Sequence, residues 1–136
     1  MLTPQADLAE ASARADLHSP AALVARGCAR ARAGRLAAAL IDLDEARQNW
    51  LALGDLDRAA LLTTSIECRL ARGELTPALA DGEALGALLE APDTVGATAH
   101  FGRGELSAAS GEPDLAAAHY ARVGRLVDRE LPDLLP

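Results

Sequence analysis

The sequence contains no lysine: all 13 basic residues are arginine, against 20 acidic residues, and the formal net charge is −7. Such an acidic field opposes the approach of a polyanion, so nucleic acid is not expected as a direct ligand. Aromatic residues are nearly absent, with one each of Trp50, Phe101 and Tyr120. A core without aromatics must close with small and branched aliphatic side chains, which favours tight packing of helix on helix. Strand formers are also scarce, 12 β-branched residues against 32 Ala and 24 Leu, so the expected fold class is all-α. No uncharged apolar run approaches the roughly 18 residues of a membrane-spanning helix, and the region after Met1 lacks the basic segment and apolar core of a secretory signal. A cytoplasmic protein without membrane contact is the expectation, and 136 residues are one domain's worth of chain.

The signatures of catalysis are missing too. Cys28 and Cys68 lie 40 residues apart with no CxxC nearby, and read as small buried or groove-lining apolar groups rather than a redox pair. His18, His100 and His119 share no metal-ligand spacing, and His18 reads as a residue at a helix end. No GxGxxG or GxSxG occurs, and a GxxxxGK[ST] loop has no lysine to complete it. Glu67 and Glu105 could form a carboxylate pair, but they belong to separate helices and read as solvated surface. No cofactor or metal is expected, and the chain reads as non-enzymatic. Arg26, Arg30, Arg32 and Arg35 form a basic turn; Arg26 and Arg30 share a helical face and are expected to pair with acids such as Asp42 or Glu67. A bound phosphate, if there were one, would be sought there.

What the sequence does have is an internal period. Gly34, Gly73 and Gly111 stand 39 and 38 residues apart, within the range of helical repeats, and each ends one helical pattern and precedes another. Seven residues before the first and last lie Gly27 and Gly104. A mid-helix glycine costs about 1 kcal/mol relative to alanine, so its recurrence points to the close approach of a neighbouring helix. Beyond each turn, apolar residues continue in helical phase: Leu36, Ala39, Leu43 and Ala46, then Leu75, Ala78 and Leu85, then Ala116, Tyr120 and Val123. Thr3-Pro4, Ser19-Pro20 and Thr76-Pro77 each place a hydroxyl before a helix-opening proline, and Pro113 opens a further helix. The spacing predicts seven antiparallel helices over 4–17, 20–33, 36–52, 56–72, 76–90, 94–110 and 113–129, joined by short connections at Leu53-Gly54-Asp55 and Ala91-Pro92-Asp93 and by the glycine turns.

These residues resemble the tetratricopeptide repeats, whose hairpins carry a small residue midway along the first helix, glycine at the turn, and alanine and an aromatic or leucine along the second. Gly27, Gly34, Ala39, Leu43 and Ala46 match that motif, and Gly104, Gly111, Ala116 and Tyr120 match it again. The middle copy keeps Gly73 and Ala78 but has Ile66 at the small position and Gly82 at the bulky one. The stride and the Leu-Gly-Asp turn look like the longer repeats of bacterial multidomain signalling proteins and transcriptional activators. The resemblance implies one solenoid domain, a superhelix of helical hairpins: an N-terminal helix over 1–19, repeats over 20–54, 55–92 and 93–130, and a tail over 131–136.

It also implies a concave groove lined by the first helix of each pair, suited to a peptide or helix of a protein partner. The family's groove positions map to Val24, Cys28 and Arg32, to Thr63, Thr64 and Glu67, and to Phe101, Glu105 and Ala108. Glu67 and Glu105 share a repeat position, and the preferred segment would carry apolar side chains and an Arg or Lys. Family members that clamp a chaperone's terminal carboxylate use lysine and asparagine; here lysine is absent and Asn49 is the sole asparagine, on a second helix. The alternative is that Thr63, Thr64 and Phe101 pack against adjacent helices and leave the groove shallow. Two functions follow as expectations: a regulatory or scaffolding protein-binding module, or a small-molecule effector domain with its ligand lodged near Phe101. The apolar C-terminal helix with Val123, Leu126 and Val127 needs covering, by truncation from a longer array or self-association before fold-back of the tail, so a homo-oligomer through that end is a further expectation.

Overall fold

The computed structural model describes residues 19–130, and these are helical with no strand among them. Six α-helices follow in order: α1 (Pro20–Arg32), α2 (Leu36–Arg47), α3 (Asp55–Ala71), α4 (Leu75–Leu85), α5 (Asp93–Ala109) and α6 (Pro113–Glu130). The expected helix over 4–17, with Thr3-Pro4 and His18, and the tail over 131–136 lie outside the described residues. The chain divides into two compact units, Met1–Leu53 and Gly54–Pro136. The first holds the α1–α2 hairpin and the second holds α3 to α6.

Local chemistry explains the boundaries. Ser19 caps α1, its Oγ accepting from the amide of Ala22 at 3.2 Å, with Pro20 at the first helical position. Thr76-Pro77 does not act in this way: α4 begins at Leu75, and Pro77 sits in the first turn, where its missing N–H leaves no bond unmade. The helix expected over 36–52 ends at Arg47 and resumes as a 3-10 turn over Trp50–Ala52, which buries Leu53 and leaves Leu51 in solvent. Likewise the helix expected over 76–90 tightens at Gly86 into a 3-10 turn, Gly86–Leu88. The three turn glycines adopt φ of +80°, +76° and +76°, the left-handed region that side chains disfavour. At each, the residue after the glycine bonds back to the carbonyl five residues earlier: Arg35 to Arg30, Glu74 to Arg69 and Glu112 to Ser107. This is one turn built three times.

In the first unit, α1 packs on α2 through Gly27, where an added Cβ would stand 2.8 Å from Leu43 Cδ2 and 3.3 Å from the carbonyl of Ala39. Leu23, Val24, Leu40 and Leu43 fill the core around it. In the second, α3 packs on both α4 and α5, and α5 on α6. Each hairpin is antiparallel, as is the α4–α5 pair, where Arg103 reaches Gly82 and Leu106 fills the space beside that glycine. Consequently α3 and α5 run parallel. Gly104 receives the ring of Tyr120, so the recurrent mid-helix glycines do mark close helix approach. In the middle hairpin the sizes are exchanged: Ile66 is fully buried, and the room at Gly82 is taken by Leu106 from α5.

Candidate functional site

The turn glycines give a common frame for the polar residues of the three hairpins. Eight and four residues before the glycine, and eight after it, stand Arg26, Arg30 and Asp42 in the first hairpin, Ser65, Arg69 and Asp81 in the second, and Arg103, Ser107 and His119 in the third. Asp42 is buried and takes Arg26 in a bidentate pair, Nη2 to Oδ1 at 2.8 Å and Nε to Oδ2 at 3.1 Å. Arg30 adds Nη1 to Oδ2 at 2.8 Å. The bond to Asp42 pushes the Arg26 pKa up from its ordinary value. In the second hairpin Ser65 Oγ donates to Asp81 at 2.6 Å, and Arg69 lies with Nε 3.5 Å from Asp81 and Nη1 3.4 Å from Glu74. Both hairpins thus lock a buried aspartate of the second helix to an arginine of the first. Sequence reading anticipated the Arg26 and Arg30 pairing with Asp42 but not its recurrence.

The third hairpin replaces this lock. His119 stands where the aspartates stand, and His100 where Leu23 and Leu62 are buried. Their Nδ1 atoms are 2.9 Å apart, and His100 Nε2 lies 3.0 Å from the carbonyl oxygen of Leu89, just beyond the 3-10 turn. A carbonyl only accepts, so Nε2 of neutral His100 carries the hydrogen and its Nδ1 accepts from His119 Nδ1–H. Burial lowers both pKa values from the ordinary histidine value. For His100 the bond to Leu89 and the charge of Glu90 oppose the shift while Arg122 and Arg103 add to it; His119 is lowered further by His100 and Arg103. Spacing alone gave no sign of this pair, because 19 residues separate partners that only the hairpin brings together.

Surface residues of the second unit form a different group. Phe101 and Tyr120, 39% and 37% exposed, have ring centroids 6.0 Å apart, and Tyr120 donates its hydroxyl hydrogen to Glu105 Oε1 at 2.7 Å. Burial first, and then the bond to Glu105, push the Tyr120 phenol up to about 12. Helical periodicity puts Phe101, Glu105 and Ala108 on one face of α5, with Phe101 and Ala108 exposed and Glu105 half-buried. On α3, Glu67 is exposed and Thr64 half-buried, whereas Thr63 is buried and donates Oγ1–H to the carbonyl of Thr98 at 3.0 Å. In the first unit Val24 is buried, Cys28 half-buried and Arg32 exposed at the helix end. Val24 and Thr63 are therefore committed to packing and present no surface to a partner. At the end of α6, Leu126 is buried and Val127 exposed.

The opposite face of α5 borders a cavity of about 280 Å³ between α4 and α6, lined by Leu79, Glu83, Arg103, Leu106, Ser107, Ser110, Glu112 and Leu115. Sequence reading did not find it; its signal is the change from arginine to serine at Ser107. Neither Cys28 nor Cys68 forms a disulfide. Among the described residues no three His, Cys, Asp or Glu side chains gather to hold a metal ion, and no helix is long and apolar enough to cross a membrane. What the fold defines is an all-α protein of helical hairpins. Comparison with protein-family models, with curated proteins and with solved structures returned no match.

Proposed function

We propose that the chain is a non-catalytic helical-repeat module, of the tetratricopeptide kind, that binds a peptide or helix of a protein partner. In this reading the hairpins are successive units of a solenoid, and the module serves as a regulatory or scaffolding segment of a bacterial signalling or transcription-regulating protein. The repeated glycine turn and the repeated Arg–Asp lock support the repeat. The observation that carries the binding role is the exposed Phe101–Tyr120 pair held beside Glu105, an aromatic anchor next to an acid on the face of α5 that the family uses. Short blocked helical peptides carrying leucine and arginine should bind there, and Phe101→Ala should weaken them. The paired Glu67→Lys and Glu105→Lys substitutions should move the preference to acidic peptides. Binding unchanged by all three substitutions would refute the role of this face. A metabolite that raised the melting temperature in a ligand screen would instead favour an effector-sensing domain.

A further inference from the structure

The cavity between α4 and α6 lies on the side of α5 away from Phe101, and its composition is explained by the repeat. Four residues before the turn glycine, the first two hairpins carry Arg30 and Arg69; the third carries Ser107. Ser107 is only 6% exposed and lines the cavity. The second hairpin shows what fills the equivalent place. There Arg69 points a guanidinium nitrogen at Glu74, 3.4 Å away, and Glu74 follows its turn glycine as Glu112 follows Gly111. Glu112 and Glu83 both line the cavity, both are exposed, and neither has an ion-pair partner among the described residues. Leu79, Leu106 and Leu115 supply apolar walls of the kind an alkyl stem covers, with Leu79 and Leu115 more than two-fifths exposed. Arg103, the one cation of the lining, is turned to the carbonyl of Gly82, to which its Nε donates at 2.6 Å. At about 280 Å³ the space is below the roughly 300–1,000 Å³ of typical small-molecule sites and suits side chains rather than a larger ligand.

We propose that this cavity is a socket for an arginine side chain carried by a partner protein, which restores from outside the arginine that the third hairpin lacks. The stem lies along Leu79, Leu106 and Leu115, and the guanidinium meets Glu83, Glu112 and the Ser107 and Ser110 hydroxyls. The inference rests on the chain being a protein-binding module but concerns a different face from Phe101, so the two fail separately.

The test is amide-resolved NMR titration of the full chain with a blocked helical peptide containing leucine and arginine, and with the same peptide carrying citrulline, its neutral isostere. The arginine peptide should shift the amides around Glu83, Ser107 and Glu112, and the citrulline peptide should bind at least about tenfold more weakly, the loss of one charge-assisted bond. Ser107→Arg, which fills the socket from within, should abolish those shifts; the surface pair Glu83→Gln and Glu112→Gln should weaken binding with an unchanged circular dichroism spectrum, covering the case in which Ser107→Arg does not fold. Equal binding of the two peptides, shifts confined to the Phe101–Glu105 face, or no shifts at all would overturn the socket. Free L-arginine binding as tightly as the peptide would overturn the assignment to a protein partner. Loss of the Phe101 response with retention of the cavity shifts would sink the proposed function of the α5 face and leave the socket standing.

Discussion

Replacing Gly27 with alanine sets two effects of opposite sign against each other, and the structure decides between them. In a helix interior the change from glycine to alanine gains about 1 kcal/mol. The new methyl, however, would stand 2.8 Å from Leu43 Cδ2 and 2.9 Å from Leu43 Cγ, with the Ala39 carbonyl at 3.3 Å behind them. Leu43 is 0% exposed, so its side chain is enclosed by packed neighbours on every side. Overpacking of this kind costs about 1–3 kcal/mol, and two contacts inside 3 Å place it toward the upper end, so Gly27→Ala should lose about 1–2 kcal/mol net. Leu43→Ala alone should lose about 2–5 kcal/mol by leaving a void. The double substitution should lose less than the sum by about 1–2 kcal/mol, since the methyl added at position 27 enters the room that Leu43 vacates. Urea unfolding followed by the fluorescence of Trp50, the sole tryptophan and in the same unit, reads all three variants. A Gly27→Ala variant stabilised by the full helix-propensity gain, or strictly additive losses, would refute the close-approach argument.

Asp42→Ala should be destabilising in the same assay, because it removes the buried acceptor of three charge-assisted bonds, although Arg26 and Arg30, 35% and 29% exposed, can turn to water; an effect within that of a surface substitution would show the lock to be dispensable. Acid should destabilise the second unit. His100 and His119 are lowered below their unfolded value near 6.5, so their contribution is complete above that pH and is lost as pH falls through the lower folded values. Melting temperatures measured from neutral to mildly acidic pH should therefore fall less steeply for His100→Leu with His119→Leu than for the parent chain, and parallel slopes would contradict the assignment. The single tyrosine should titrate near pH 12 by phenolate absorbance, and Glu105→Gln should bring it part of the way back toward 10, since burial is the larger cause and remains.

The glycines were the most informative residues in the sequence. Gly34, Gly73 and Gly111 announced their turns because a left-handed residue at a helix end is a local requirement that composition records directly. Gly27 and Gly104 announced close approach for a related reason. Helix ends decided by tertiary packing were harder: nothing near Trp50 or Gly86 states that the chain will tighten there to bury Leu53 and Leu88. The site was less legible still. Thr63 and Val24 occupy positions that a repeat pattern makes groove-facing, yet their burial depends on what lies over them. The histidine pair and the cavity emerge only when the three hairpins are aligned on their turn glycines, since each is a departure from the other two copies rather than a motif in itself.

That departure makes the hairpins unequal as building blocks. Two copies are clasped by opposite charges, and the last by a shared hydrogen between two neutral rings. Transplanting histidine into the places of Leu62 and Asp81 would carry acid lability into the middle hairpin, while leucine and aspartate at positions 100 and 119, with arginine at 107, would erase it from the last. A handful of side chains thus sets how each hairpin weathers a falling pH, while the backbone that presents them is left as it was.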